Sequence, residues 1–326
     1  MFINRLRWCI ACALLVCLPA VAVPQSSSSP SEPGAPIRIQ VLQSSDETPY
    51  EQAMQGLRRG LAATLGPEGR GFELSIHLLA AGDDAKGAEA VPGQERASLI
   101  VSLGAPATKL ARRIAQGRPV VFSMVVNPVT QGLYDPAQKE ALTGVSMDVS
   151  LQDQFETLKR VLPKARRVGV VHQTSNSRLV ERAREAAKAA GLELVAVPVD
   201  ASDQIPAALG LLTGKIDVLW SFADSLVYSP HLAQFIILQT LRSRLPFMGV
   251  SPGYVKAGAL FCVYADYEDV GRQSAEVVAE IAKGKSASGI PLQNPRRQRM
   301  AVNLTAAEAI GVDIPLGIRK AAAEKY

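Results

Sequence analysis

From residue 37 onward, the sequence alternates between short apolar runs and amphipathic stretches, and this alternation constrains the fold more than any other feature. The apolar runs have the length of buried strands, and the stretches between them have helical spacing. Such alternation predicts parallel sheets with crossover helices. It runs through two rounds, which predicts an α/β protein with two lobes. The predicted strands are 37–42, 72–79, 99–103, 119–124, 167–171, 192–199, 216–221 and 245–250.

Helices are predicted between these strands from the spacing of apolar residues and from capping signals. Ser150 and Asp153 resemble a capping box ahead of a helix that Pro163 ends. Gly191 is the predicted C-cap of another helix. The segment 81–95 is rich in Gly, Ala and charge and has no clear assignment. The other predicted helices are 50–65, 107–115, 205–212 and 232–242.

The first 22 residues have the pattern of a cleavable secretory signal. Arg5 and Arg7 form a positive start, 10–18 is a short apolar core, and Ala-Val-Ala at 20–22 fits a small-x-small cleavage site. The core is shorter than the roughly 20 apolar residues that a membrane-spanning helix needs. We therefore expect secretion by way of a cleavable signal, with a retained membrane anchor as the alternative.

Cysteine usage agrees with this interpretation. Three of the four cysteines lie in the predicted signal, and bulky Val16 disfavours lipoprotein processing at Cys17. Cys262 lies between apolar neighbours, so we expect a buried, inert thiol and no internal disulfide. The histidines are widely separated and no group has metal-ligand spacing, so no metal is predicted.

Charge and motifs argue against several function classes. The formal net charge is +5, without a basic stripe interleaved with aromatics, so we expect no nucleic-acid partner. A two-lobed repressor would need an N-terminal helix-turn-helix, where the predicted signal stands instead. Phosphate- and dinucleotide-binding loops of the common glycine-rich types are absent, and no cofactor is predicted.

One motif favours catalysis. The segment 249–253 matches the Gly-x-Ser-x-Gly nucleophile elbow after a predicted strand. Pro252, however, has no backbone N–H to donate to an oxyanion. The histidine of such a triad follows the serine in the chain, and no histidine follows His231. We therefore predict a protein that is not an enzyme.

Polar breaks at the ends of the predicted strands are the candidate ligand segments, because ligands of open parallel sheets bind beyond the carboxyl ends of the strands. These breaks are 104–108, 123–128, 172–177, 221–225 and 249–253.

In their order and spacing, these breaks resemble the bacterial ABC-transporter substrate-binding proteins that include tryptophan- and phenylalanine-binding members. The motifs that carry the resemblance are "GAPATKLA", "RPVVFSMVVNPVTQGL", "LTGVSMDVSLQDQFETLKRVLPKARRVGVVH", "GLELV", "DVLWSFADSLV", "PFMGVSPGYVKAGAL" and "YADYEDVGRQSAEVVAEIAKGK", within residues 99–315. The resemblance implies a type I periplasmic-binding-protein fold: two Rossmann-like lobes joined by three crossovers, with ligand in the cleft between them. It implies a first lobe at 37–145 and 260–290 and a second at 146–259 and 291–320. The Ser- and Pro-rich segment 23–36, between signal and lobes, is a predicted flexible tether.

The breaks and the resemblance together predict a site for an amino-acid-like ligand. Helix N-termini and hydroxyl groups attract its carboxylate. Asp224, directly after a buried strand, is expected to face its ammonium, and an acidic residue followed by a small polar one matches the family here. The candidate ligand-binding residues are Gly104, Ala105, Thr108, Ser123, Asn127, Ser175, Asn176, Ser177, Asp224, Ser225, Ser251 and Asp266.

Several candidates have structural alternatives. Gly104 suits the turn whatever binds there, and Asn127 before Pro128 could form a turn. Thr108, Asp224 and Asp266 could each cap a helix.

Other side chains stay open at this point. Arg178 could form a carboxylate fork, although it more readily faces solvent. After the first strand, a cleft contact could come from any residue of 44–46. Phe222, Tyr228 and Tyr264 are expected in the core more readily than as a platform for a ligand side chain.

We therefore expect the periplasmic solute-binding component of an ABC import system, which binds a small amino-acid-like ligand. Ligand would shift an open–closed equilibrium by hinge motion, and an inner-membrane permease would recognise the closed form. The alternative is a periplasmic sensor that presents its closed form to a receptor.

Overall fold

The computed structural model describes residues 35–80, 91–138 and 140–326. The predicted signal and most of the predicted tether lie outside the described residues, as does much of the unassigned segment 81–95. Residues 36–326 form one unit that contains both sheets. Among the described residues, no helix is both long and apolar enough to span a bilayer.

The first sheet has five strands in the order β2-β1-β3-β4-β5, and every neighbouring pair is parallel. Its interior strands are almost wholly buried, as expected when helices cover both faces. The strand β5 was not predicted. The strands are β1 (Ile37–Gln43), β2 (Phe72–Leu78), β3 (Leu99–Leu103), β4 (Val120–Val125) and β5 (Leu142–Ser146).

Helix α1 (Thr48–Leu65) lies on one face of this sheet and α2 (Ala105–Ile114) on the other. The prediction started α2 at residue 107. The helix begins two residues earlier because Pro106 fits the first turn, where its missing N–H needs no partner.

The second sheet has the order β12-β11-β10-β9-β8-β6-β7, with β10 and β11 antiparallel and the other pairs parallel. Counted in chain order, its first five strands repeat the order 2-1-3-4-5 of the first sheet. The strands are β6 (Arg167–Gln173), β7 (Glu193–Val199), β8 (Val218–Trp220), β9 (Phe247–Met248), β10 (Phe261–Ala265), β11 (Gln298–Val302) and β12 (Glu324–Lys325).

Helices cover both faces of the second sheet around the fully buried Trp220. Ser150 accepts a hydrogen bond from the Asp153 N–H at 3.1 Å, as the capping box predicted. Cys262 is buried, and burial raises the pKa of its thiol. The helices are α3 (Leu151–Val161), α4 (Ser177–Ala189), α5 (Ile205–Leu212), α6 (Pro230–Arg242), α7 (Pro252–Ala257), α8 (Tyr267–Ala282), α9 (Leu304–Ile310) and α10 (Leu316–Ala321).

The structure corrects two of the implied lobe boundaries. The segment 260–290 was assigned to the first lobe, but its strand β10 pairs with β9 and β11 of the second sheet. Its helix α8 packs on the first lobe, against α1, and Ile290 after it accepts a hydrogen bond from the Thr143 hydroxyl of β5. The last crossing from lobe 1 to lobe 2 comes after the implied boundary at residue 290. The backbone of Gln293 still hydrogen-bonds to Gly144 and Ser146 of β5 in lobe 1. We define lobe 1 as 36–146 with 267–293, and lobe 2 as 151–265 with 298–326.

Candidate ligand-binding site

The two sheets have their switch points at equivalent places. In a 2-1-3-4-5 sheet the strand order reverses between the first and third strands, and ligands bind outside the carboxyl ends there. In lobe 1 this point lies between β1 and β3, which are followed by Ser44 and Gly104. In lobe 2 it lies between β6 and β8, which are followed by Thr174 and Ser221.

At the lobe 1 switch point, Ser44 caps α2 from the neighbouring strand. Its Oγ accepts a hydrogen bond from the Ala107 N–H at 3.0 Å. Gly104 has a φ of 98°, and a Cβ there would lie 2.6 Å from the Ser44 Oγ. A side chain at 104 would therefore collide with this cap. Gly104 has the turn role that the sequence left open, and Ala105 is half-buried beside it.

Thr108 is fully buried in the first turn of α2. Its Oγ1 donates to the Gly104 carbonyl at 2.8 Å and lies 3.0 Å from the Ser102 Oγ. The hydroxyl therefore binds the protein itself in this structure, but Thr108 does not cap α2, because Gly104 is the N-cap residue.

The end of β4 is irregular. The pairing register with β5 shifts between Phe122 and Val125. Two nearby non-glycine residues have left-handed backbones, Met124 with φ 58° and Asn127 with φ 48°. The Ser123 hydroxyl is buried here without a hydrogen-bond partner among the described residues. Such strain costs on the order of 1–3 kcal/mol per residue and concentrates at functional sites.

Asp148, which the sequence reasoning missed, holds this irregular segment in place. Its Oδ1 accepts from the Asn127 N–H at 2.8 Å. Its own N–H donates to the Ser146 Oγ at 3.1 Å. Burial raises the pKa of Asp148, although the hydrogen bonds from Asn127 and Ser146 act in the opposite direction. The only local signal for this position was an acidic residue two positions after the segment 142–146.

In lobe 2, the Asp224 carboxylate is 3% exposed and is saturated by protein donors. Its Oδ2 accepts from the Gln173 N–H at 2.7 Å and from the Asn176 Nδ2 at 2.8 Å. Its Oδ1 accepts from the Leu226 and Val227 N–H groups, each at 3.1 Å. A carboxylate has about four acceptor positions, so Asp224 joins the ends of β6 and β8.

The residues next to Asp224 and its hydrogen-bond donors form the solvent-exposed part of the carboxyl edge of lobe 2. Ser175, Ser177 and Ser225 are exposed, and Asn176 is half-buried. Asn176 precedes α4 and makes no side-chain capping bond to it, and the positive end of the helix dipole at this terminus favours an anion. The Ser177 hydroxyl donates to the Thr174 carbonyl at 2.7 Å. Arg178 is exposed.

Ser251 and Asp266 both precede helices. Ser251 is half-buried with an extended backbone (φ −155°, ψ 165°), so it lacks the strained turn of a nucleophile elbow. Asp266 is 3% exposed and accepts from the Asp269 N–H at 3.3 Å. Its Oδ2 also lies 2.9 Å from the Arg299 Nε. Asp266 therefore caps α8 and pairs with β11 where the chain crosses between lobes.

A family model described as ABC transporter substrate binding protein matches residues 38–326. The chain belongs to this family. The family is one of substrate-binding proteins and not a class of enzymes. This substrate-binding protein is also 28% identical over 214 residues to the tyrosine-binding protein of Clostridioides difficile. That match covers 64% of this chain and 61%, less than two thirds, of the relative.

Solved structures agree with the family. The substrate-binding protein is 26% identical to a conserved domain protein from Vibrio cholerae, with a TM-score of 0.63 over 89% of this chain and 99% of that one. The ligand-free, open structure of a substrate-binding protein with adhesive properties from Clostridium difficile has 24% identity and a TM-score of 0.72, covering 88% and 98%. An ABC domain from Streptococcus pneumonia in complex with L-Trp has 21% identity and a TM-score of 0.65, covering 90% and 100%. The last two show the fold alone. The predicted family and type I periplasmic-binding-protein fold are confirmed.

The aromatic side chains of the substrate-binding protein divide into two groups. Phe222, Tyr228 and Tyr264 are buried, as the core interpretation predicted. Tyr50 and Tyr267 are half-buried near the carboxyl edge, and neither was singled out from the sequence. The Tyr50 ring packs on Gly104, where a Cβ would lie 3.0 Å from its Cε1. Burial raises the pKa of both phenols.

Proposed function

We propose that the protein is the solute-binding component of an ABC import system and binds a small amino-acid-like ligand between its lobes. The observation that carries the proposal is the repeated 2-1-3-4-5 order of the two sheets. Each sheet has a helix N-terminus at its switch point, that of α2 in lobe 1 and that of α4 in lobe 2. Such termini favour anions such as a ligand carboxylate.

The predicted site residues have two roles in this proposal. The open positions contact the ligand, and the buried ones position them. The proposed contacts are Ala105, Asn127, Ser175, Asn176, Ser177, Ser225 and Ser251. The proposed positioning residues are Gly104, Thr108, Ser123, Asp224 and Asp266.

An aromatic amino acid is the ligand class that we propose. One relative is named for tyrosine binding, and a structural neighbour was solved with L-Trp. Two half-buried rings offer apolar surface, that of Tyr50 beside Gly104 at the carboxyl edge of lobe 1 and that of Tyr267 against Tyr264 after β10. Offset or edge-to-face ring contacts add about 0.5–1.5 kcal/mol beyond the buried area.

The proposed location is the periplasm, reached through the signal at 1–22, and the proposed partner is an inner-membrane ABC permease. Ligand that contacts both lobes binds the closed arrangement better than the open one. It therefore shifts the population toward the closed form, which the permease would recognise.

Thermal unfolding of the purified protein against the twenty L-amino acids tests the proposal. Ligand at about 100 times its dissociation constant adds roughly 2.7 kcal/mol to the free energy of unfolding, a rise of a few degrees. If no amino acid raises the midpoint after bound material has been stripped by unfolding and refolding, the proposal is wrong.

A charge variant tests the location of the site. Ser177→Asp places a carboxylate at the α4 N-terminus, where it suits the helix dipole and repels a ligand carboxylate. We expect the folded stability to be kept and binding to weaken about tenfold or more. Ser286→Asp, an exposed serine just after α8, is the matched control and should bind like the wild type.

A further inference from the structure

Three carboxylates lie at the carboxyl ends of strands, in the places where a ligand ammonium could be bound. Asp148 follows β5, Asp224 follows β8 and Asp266 follows β10. The last two are satisfied within the protein. Asp224 accepts four hydrogen bonds, and Asp266 caps α8 and pairs with Arg299. Asp224 has no acceptor position left for a cation, and Asp266 already has Arg299 as its cationic partner.

Asp148 differs from both. Its carboxylate has two hydrogen-bond partners, the Asn127 N–H at 2.8 Å from Oδ1 and the Ser146 hydroxyl, and neither partner carries a positive charge. No ion pair of the described residues includes Asp148, although the side chain is half-buried. A partly desolvated carboxylate without a cation is costly, and a bound ammonium group would relieve that cost.

The surroundings of Asp148 also have the features of a binding site. Asp148 fixes the left-handed Asn127, in the irregular segment that follows the register shift of β4. The unpartnered Ser123 hydroxyl lies on that neighbouring strand. Adjacent strands are about 5 Å apart, so the end of β4 and the end of β5 are within the span of one amino acid.

We infer that Asp148, rather than Asp224, is the side chain that pairs with the ammonium group of the ligand. The inference rests on the proposed function and assigns one group of that site. Asp148 binds the ammonium from the crossover segment that follows β5 of lobe 1, and the α4 N-terminus receives the carboxylate from lobe 2. Asp224 holds the segment that leads into α4 in position and does not contact the ligand.

The test compares Asp148→Asn with the wild type by isothermal titration. The probes are L-tyrosine, L-tryptophan and any other amino acid that the thermal scan identifies, each paired with its analogue that lacks the ammonium. For tyrosine and tryptophan these are 3-(4-hydroxyphenyl)propionate and indole-3-propionate. The asparagine retains an oxygen for the Asn127 N–H. Asp135→Asn is the matched control, since Asp135 is exposed and also accepts one backbone N–H, from Ala137.

We expect Asp148→Asn to weaken binding of the amino acid about tenfold or more and to leave binding of the deaminated analogue unchanged or improved. Asp135→Asn should change neither. Equal loss for both probes would mean a positioning role only and would overturn the inference, as would wild-type affinity for the amino acid. If no ammonium compound binds the wild type, the proposed function and the inference both fail.

Discussion

Asp224 shows how one side chain can hold together segments that are distant in sequence. Its carboxylate accepts hydrogen bonds from Gln173, from Asn176 and from two N–H groups of its own loop. We expect Asp224→Ala to lower the free energy of unfolding by about 2–3 kcal/mol, because it leaves partly buried donors without acceptors. Urea unfolding measures the loss. Ser225→Ala, at the exposed neighbour, should stay within about 0.5 kcal/mol of the wild type.

The sequence could predict a residue's role only where that role depends on its near neighbours. The burial of Cys262 and the capping by Ser150 are of this kind, and both are confirmed. The saturation of Asp224 depends on β6, some 50 positions away, and no local pattern reports it. Asp148 was missed because "LTGVS", with Thr143 and Gly144 in its centre, is weakly strand-like, so the end of that strand was not searched.

At the scale of elements, the contact between α1 and α8 depends on glycine. A Cβ at Gly56 would lie 1.9 Å from the Glu268 carbonyl oxygen, and one at Gly271 would lie 2.0 Å from the Ala53 carbonyl oxygen. The helices could not approach so closely with larger residues. The resemblance placed both helices in the first lobe, but no local pattern revealed their contact, because they are about two hundred residues apart in the chain.

We expect Gly56→Ala to destabilise the protein even though alanine is the better helix former. Its Cβ would push α8 away from α1, and we expect a loss of about 3 kcal/mol, at the upper end for overpacking. Gly210→Ala in α5 is the matched control, since nothing lies within 4 Å of its Cβ. It should be neutral or stabilising by up to about 1 kcal/mol. Equal thermal midpoints for the two variants would contradict the packing argument.

At the scale of the whole molecule, the alternation predicted two α/β lobes, whereas the lobe boundaries that the resemblance implied put β10 in the wrong sheet. The run "FCVYA" of β10 is apolar and buried in the same way as the strands of lobe 1, so nothing in it tells which sheet it joins. The sheet that β10 joins is determined by its hydrogen bonding to β9 and β11. Ion pairs hold the two crossover segments around α8 in place. Arg299 pairs with Asp266, and the Arg296 guanidinium pairs with both Asp269 and Glu276.

The ion pairs of Arg296 and Arg299 predict where the molecule bends when ligand binds. Arg296 and Asp269 hold the third crossover to α8 of lobe 1, and Arg299 on β11 moves with lobe 2, so bending should concentrate in the short segments between them. We expect the amino acid that raises the thermal midpoint to lower the radius of gyration in small-angle X-ray scattering. With ligand near the wild-type dissociation constant, a tenfold weaker Ser177→Asp is occupied to only about a tenth and should stay close to the ligand-free value, whereas Ser286→Asp should compact like the wild type. Binding that leaves the wild-type radius unchanged would contradict closure of the lobes, because a ligand held by both lobes has to favour the arrangement that brings them together.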